Sequence, residues 1–435
     1  MFITRQRSTD YADHSQHGHL LLFSLLLVSI INLADRNIIN LLLDPIAKDL
    51  GLSDSELGVL AGPVFGICYA AALIPIAHLA DRWMRLWVIS GALILWSALT
   101  AAQGLATSFL MLLLIRAGVA MTESGSGPAT NSIIADLYPP VQRSRAFAIY
   151  SIYSPVGFAL GAVVAGYGLE HYGWRETLTI IGIPGVIFGV LLPLAFKEPL
   201  RGNWDNSASN ESLSLLTGLR ALLNNPTLRW LVAGQTVFIA GVAASNFDSV
   251  YLIRSHKLPA ETIGTLLGAA GLLVGIGALL GGWVGDRFGG SSPERLMRLS
   301  AWFSVCTLPQ LFVFYLAPNQ DWLTVGIAMN SVTPGNFALL LATLQLLVLP
   351  AMRAKAAALL IAVSSGVGGS LGPLLVGGLS DATSAWLADE SIRYAVFTTF
   401  AVSSLLAALC FWRAAALQAV ADPINRRGNA SYITR

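Results

Sequence analysis

Four ionisable residues stand inside apolar stretches long enough to cross a bilayer: Asp35, Arg36, Arg116 and Glu123. Asp35 and Arg36 are adjacent in the apolar run 20–43, and a hydrocarbon core needs only about 20 residues of helix. Charges at that depth cost roughly 2.5–3.5 kcal/mol each on insertion scales, so they face a partner, a protein interior or a wet cavity. At helical spacing Asn32, Arg36 and Asn40 fall on one stripe with Asp35 beside it. Arg116, Glu123 and Thr130 recur in steps of seven and form a second stripe. Left unpaired, the four charges would cost about 10–14 kcal/mol, as much as the whole stability of a typical domain.

Two kinds of chemistry fit such a set. A carboxyl held between burial and a guanidinium can take up or release a proton as a cavity opens. That makes Glu123 the leading proton-coupling residue, with Asp35 as the second acid, able to balance the arginines when Glu123 is protonated. Arginine stays charged at any working pH, and its planar fork suits phosphate or carboxylate. Arg36 and Arg116 are therefore candidate substrate-binding residues, with Asn32 on the same stripe. Arg36 is expected on the substrate, and Arg116, nearer the outer end, on Glu123. The plainer alternative is ion pairing that only tightens helix packing, although leucine at all four positions would serve stability more simply.

The surrounding composition sets the class. The chain of 435 residues is 55% hydrophobic and only 11% charged, with mean hydropathy +0.65. Soluble domains carry about 25% charged residues, so this is an integral membrane protein. A net charge of +2 gives no argument for nucleic acid. Cys68, Cys306 and Cys410 lie in apolar segments without metal-ligand spacing and read as small core residues. No metal or cofactor is implied.

Twelve hydrophobic segments can be counted, near 20–43, 56–79, 86–106, 109–135, 145–168, 174–196, 227–253, 260–284, 295–317, 322–349, 355–380 and 391–417. Ser53-x-x-Glu56 is a capping box that opens the second, and Pro139-Pro140 closes the fourth. Placing both termini in the cytoplasm puts 19 of the 26 basic residues on the inner side and five on the outer side, as the positive-inside rule requires. The polar N-terminus shows no cleavable signal pattern, and the first span is expected to direct insertion. The expected organisation is a cytoplasmic tail (1–19), a six-helix bundle (20–196), a cytoplasmic linker (197–225) and a second six-helix bundle (226–417). A second cytoplasmic tail (418–435) follows. Leucines 215, 216, 219, 222 and 223 predict an amphipathic helix in the linker, lying on the inner membrane face.

The two bundles are copies of one design. Asp81-Arg82 and Asp286-Arg287 close the second and eighth segments, 205 residues apart (Asp81 to Asp286). Repeats of this kind place the substrate site near the midplane. Yet the positions 205 residues after Asp35 and Glu123 are Ala240 and Ala328. The second half offers a milder polar set, with Asn330 and Asn336 flanking Pro334-Gly335 as further candidate substrate contacts. Asp248, near the outer mouth of the seventh segment, stands apart from it. Glycines through segments five, eight and eleven read as close-packing surfaces.

With both Asp-Arg turns in place, the chain resembles the major facilitator superfamily, an all-α membrane fold of twelve helices in two pseudo-repeat bundles. The first turn departs from that signature, with Ala77 for glycine and Met84 for the glycine before Arg85. The resemblance implies that Asp81, Arg82, Arg85, Asp286 and Arg287 act as a conformational latch. Within the superfamily, residues 30–165 resemble the spinster family of lipid transporters. The match rests on Asp35-Arg36, Trp96-Ser97 with Thr100, Arg116, Glu123, Pro128 and the run from Ile133 to Pro139. Where the family reads Gly-Glu-Ala, this chain has Thr122-Glu123-Ser124. The resemblance implies proton coupling through Asp35, Arg36 and Glu123, and substrates such as lysophospholipids or sphingosine-type lipids.

The expected function is a proton-coupled, alternating-access transporter of an amphipathic anionic lipid, monomeric, in a bacterial inner membrane. The alternative is a symporter or antiporter of a small organic anion. An intramembrane enzyme would need a nucleophile with a base. His14, His17 and His19 lie in the tail and His78, His171 and His256 at segment ends, so no histidine stands at mid-membrane.

Overall fold

The computed structural model describes residues 3–202, 224–329, 335–348 and 352–433, with side chains from 18 to 420 except 74, 354 and 355. Residues 203–223, which hold the expected linker helix, lie outside the described residues, as does Asn330. The described elements are helical. In the first half α1 is Ile3–Leu50, α2 Asp54–Ala61, α3 Pro63–Arg82, α4 Arg85–Gln103 and α5 Phe109–Glu123; α6 is Ser126–Leu137, α7 Pro140–Tyr150, α8 Tyr153–Tyr172 and α9 Trp174–Ala195. In the second half α10 is Pro226–Ala244, α11 Asp248–His256, α12 Ala260–Val284, α13 Pro293–Tyr315 and α14 Gln320–Met329. There follow α15 Gly335–Leu347, α16 Arg353–Val363, α17 Gly369–Leu387 and α18 Ser391–Ile433.

Local chemistry sets these boundaries. Ser53 Oγ accepts from the Glu56 amide at 3.2 Å while Glu56 Oε2 accepts from the Ser53 amide at 2.9 Å, so the capping box at the start of α2 is complete. Asn225 Oδ1 caps α10 by accepting from Thr227 and Leu228. Gly173, at φ +84°, makes the turn between α8 and α9 in a region closed to most side chains. The helical backbone of α1 continues back to Ile3, through most of the polar tail.

Among the described residues, ten helical stretches are long and apolar enough to cross a membrane. The difference from twelve has two sources. The tenth segment is described as the shorter α14 and α15, on either side of 330–334. The stretch Ala356–Val420, 65 residues long, runs through the 3₁₀ turn Ala388–Glu390 and exceeds a single crossing.

The chain packs as two compact units. One is Met1–Ile46, Ile67–Asn210 and Ala260–Gly268; the other is Ala47–Gly66, Glu211–Pro259 and Ala269–Arg435. Each therefore includes a short piece from the other half of the sequence. The first unit has a core of Leu25, Val28, Ile89, Leu93, Trp96 and Ile133. That of the second contains Leu231, Met297, Leu340, Leu344 and Phe411. Phe23, Leu114, Leu194, Leu279 and Leu409 are exposed, which suits helices solvated by lipid.

Candidate functional site

The charged stripes meet inside the first unit. α8 approaches α1 so closely that a Cβ on Gly161 would lie 2.8 Å from the Ala34 Cα, which fixes the α1 backbone just before Asp35. Opposite, α5 ends at Glu123 and the chain bends at Ser124-Gly125 before α6. A side chain at Gly125 would collide with Ile76. The Ser126 hydroxyl then donates to the Glu123 carbonyl at 3.1 Å, closing the bend.

This bend sets Glu123 against Arg36. Arg36 Nε and Nη2 both donate to Glu123 Oε2 at 3.2 Å. The Glu123 side chain is 0% exposed and that of Arg36 33%, so the guanidinium is the member of the pair that a ligand can reach. Its carbon lies 4.9 Å from the centre of the Tyr69 ring, a favourable cation–π arrangement. Arg116 is 2% exposed, and its Nη2 donates to the Arg36 carbonyl at 3.1 Å. Arg36 is thus bonded to Glu123, while the Arg116 bond to the Arg36 carbonyl ties α5 to α1.

Asp35 is 1% exposed, and neither carboxyl oxygen has a hydrogen-bond partner. The Nδ2 of Asn32 and the Oε1 of Glu123 are likewise buried without partners. Thr130, the third member of the α5–α6 stripe, is fully buried. The structure thus gathers Asp35, Arg36, Arg116 and Glu123 into one cluster: a bonded acid–base pair, an acid with no bonded base, and a buried arginine that bridges helices.

The other expected site residues lie elsewhere. Asn336 is 0% exposed and donates from Nδ2 to Ser304 Oγ at 3.3 Å, inside the second unit. Asp248 starts α11, after a 3₁₀ break at Ser245–Phe247, and accepts from the Tyr315 hydroxyl at 2.5 Å. Of the expected latch residues, Asp81, Arg82, Asp286 and Arg287 are exposed. Arg85 is 3% exposed and donates to Asp136, to Glu198 at 2.8 Å and to Ser132 at 2.8 Å. Arg201 closes the same corner by donating to the carbonyls of Ala80, Asp81 and Trp83, where α3 ends. Sequence reasoning missed Tyr69, Glu198 and Arg201. The run Lys197-Glu-Pro-Leu-Arg201 directly after an apolar span was the available signal for the last two.

Comparison with known proteins gives the family. The sequence model of the Major Facilitator Superfamily matches residues 25–308. The chain is 30% identical over 428 residues to an MFS-type efflux pump of Mycolicibacterium smegmatis, covering 94% of this chain and 95% of that one. It is 28% identical over 379 residues to protein spinster of Drosophila melanogaster, spanning 82% of this chain but 60% of that longer protein. Among solved structures, a bacterial homologue of the human lysosomal transporter spinster, in an inward-facing and unoccupied conformation, superposes with a TM-score of 0.80. The identity is 25%, over 92% of this chain and 96% of that one. An all-helical membrane architecture, paired Asp-Arg turns and an acid–base cluster between α1 and α5 thus coincide with similarity along nearly the whole chain, and the protein belongs to the major facilitator superfamily as a transporter of the spinster family.

Proposed function

We propose that the protein is a proton-coupled transporter that moves an amphipathic lipid with an anionic headgroup, such as a lysophospholipid, by alternating access. The observation that carries this reading is the Arg36–Glu123 pair, accessible only on its arginine side, beside the unpaired Asp35. In this arrangement Glu123 is held as the carboxylate by Arg36, and Asp35, with no base bonded to it, holds the proton. An anionic headgroup arriving at Arg36 competes with Glu123 for the guanidinium fork. The displaced carboxylate then takes the proton from Asp35. The headgroup thus replaces the Glu123 carboxylate on Arg36 as that carboxylate is protonated, which couples headgroup binding to the protonation of Glu123 without a separate switch. Arg116, charged at any working pH, stays bonded to the Arg36 carbonyl. The asparagines Asn32, Asn330 and Asn336 are proposed as secondary polar contacts.

The transporter works as a monomer with twelve spans in two repeat-related halves, 20–196 and 226–417, joined by a cytoplasmic linker. The Arg85 cluster serves as the inner latch of the first half. The placement in a bacterial inner membrane with cytoplasmic termini is supported by the Lys/Arg distribution, and the efflux-pump relative favours export. Reconstitution into proteoliposomes tests the whole reading. Lysophospholipid movement should accelerate under an imposed pH gradient in the wild type. Movement of small organic anions alone would favour the alternative substrate class, and insensitivity to the gradient would refute coupling.

A further inference from the structure

Along α4, three buried polar groups recur with no hydrogen-bond partner among the described residues: the indole Nε1 of Trp96, the hydroxyl of Thr100 and the Oε1 of Gln103. Trp96 and Thr100 are 0% exposed and Gln103 1%. Steps of four and three residues put them on one face of the helix. Other spans take the faces on either side. A Cβ on Gly185 of α9 would collide with Ser97 Oγ, and a Cβ on Gly118 of α5 would lie 3.1 Å from Leu99 Cδ1. The stripe between them belongs to the bundle interior, where Trp96 shares a core with Leu25 and Val28 of α1.

The Thr100 hydroxyl departs from the pattern of its neighbours. A helical threonine can donate to the carbonyl four residues back, as Thr122 does to Gly118 at 2.8 Å and Thr179 to Arg175 at 3.0 Å. Thr236 and Thr343 do the same. Thr100 does not, so its hydroxyl is left to the interior. Helix register gives its level. α4 and α5 run antiparallel across the turn 104–108, and Leu99 stands against Gly118, so Arg116 comes level with Thr100 and Ala101. The Arg116 bond to the Arg36 carbonyl brings Asp35 and Arg36 to that level as well.

Gln103 lies about 4.5 Å further along α4, at 1.5 Å per residue, directly behind a turn whose Leu105, Thr107 and Ser108 are exposed. The charged groups around the stripe are Asp35, Arg36, Arg116 and Glu123 at its inner end. At the turn stands Arg175, which donates to the Gly104 and Ala106 carbonyls. Left dry, each group of the stripe would forfeit the hydrogen bond it makes in the unfolded chain. A buried water, which makes about three hydrogen bonds, meets that need.

We propose that the α4 stripe is a hydrated proton route, by which Asp35 exchanges its proton with the side of the membrane at the α4–α5 turn, apart from the path of the headgroup to Arg36. This rests on the coupling reading above, in which that side is the outer one. Gln103 Oε1 and Trp96 Nε1 position the water. The Thr100 hydroxyl, donor and acceptor at once, accepts a proton from the water on its outer side as it passes its own inward. Each relay oxygen ends as it began, and the Asp35 carboxylate gains the proton that the outer solution loses. Asp35 can thus be reloaded after giving its proton to Glu123, while Arg36 still holds the headgroup.

Radiolytic hydroxyl labelling of the full-length protein in nanodiscs reads the water directly, because radicals formed from buried water oxidise the side chain beside it. Trp96 should be oxidised in the wild type despite its burial. The double variant Thr100→Val, Gln103→Leu keeps the shapes and removes the polar atoms, and should cut that labelling about tenfold. In proteoliposomes it should slow pH-driven lipid movement about tenfold, the worth of one hydrogen bond in the relay. Lipid exchange at equal pH on both sides should keep its wild-type rate. Thr100→Ser, which retains the hydroxyl, should keep the pH-driven rate. If the double variant folds poorly, Thr100→Val alone, which is isosteric, is read the same way. An unlabelled Trp96 in the wild type would overturn the proposal, as would an unchanged pH-driven rate in the variant. Equal slowing of exchange would make these packing residues and overturn it too. The coupling reading fails separately, if wild-type transport ignores the gradient although Trp96 is labelled, and the proton role of the stripe falls with it.

Discussion

The two halves share one repeat yet fill their interiors with different chemistry. In the first, Asp35, Arg36, Arg116 and Glu123 meet between α1 and α5. In the second, the repeat-equivalents of the two acids are Ala240 and Ala328, and buried polar groups such as Asn336 and Thr307 are neutral. Asn336 bonds Ser304, and Thr307 donates to Ser404 at 3.0 Å. Ala240 is buried, and its carbonyl faces Gly372 of α17, where a side chain would meet it. Neutral amides and hydroxyls can be satisfied by one neighbour and change little through a cycle. Buried charges need a counter-charge or a proton. On the proposed reading, the charged half is where a proton can do work, and the other half is the frame it works against.

The contrast can be broken most severely by placing a carboxylate in the second half. Ala240→Asp has neither room nor a partner, and a loss of 3 kcal/mol or more is expected from an unpaired buried charge, about the cost of breaking a buried pair. Thermal melting and the yield of folded protein would register it. Next in size, Glu123→Gln should leave the protein folded but cut pH-driven transport by about a hundredfold, since Arg36 loses its charged partner. Normal acceleration by a pH gradient would remove Glu123 from coupling.

Asp35→Asn should reduce coupled transport about tenfold with expression intact, because the amide fills the same space and carries no proton. Poor folding with normal activity in what remains would make Asp35 a packing residue. A smaller effect is expected from Arg36→Lys, which keeps the charge and loses the fork: affinity for an anionic lysolipid should fall about threefold to tenfold. Arg116→Lys should affect it less, because Arg116 is buried behind Arg36. Equal losses in both variants would erase the distinction between them. At the bottom of the scale, Asn336→Ala should cost about 1 kcal/mol of stability for one buried hydrogen bond and leave the pH dependence of transport unchanged.

The charged cluster was legible in the sequence because a charge inside twenty apolar residues is conspicuous in one dimension. Its internal pairing was not. That Arg36 takes Glu123 through both Nε and Nη2 depends on the Ser124-Gly125 bend against Ile76, a contact made across the fold. Tyr69 was hidden for a related reason: an aromatic residue in an apolar span looks like any core residue until a guanidinium is found over it. The start of α2 was half legible. Ser53 and Glu56 announce their box locally, while Asp381, whose carboxylate accepts from the Asp54 and Ser55 amides, carries no local sign that it reaches Asp54.

That last contact has a consequence for how the protein is made. The Asp54 amide and Asp381 are separated by 327 positions. At about 5–20 residues per second of synthesis, α2 leaves the ribosome roughly 15–65 s before its cap exists. Its first turn must wait in the membrane, with its amides solvated by water or lipid headgroups. Insertion of the early spans and final assembly are thus distinct events in time, and the second cannot finish until the eleventh span has entered.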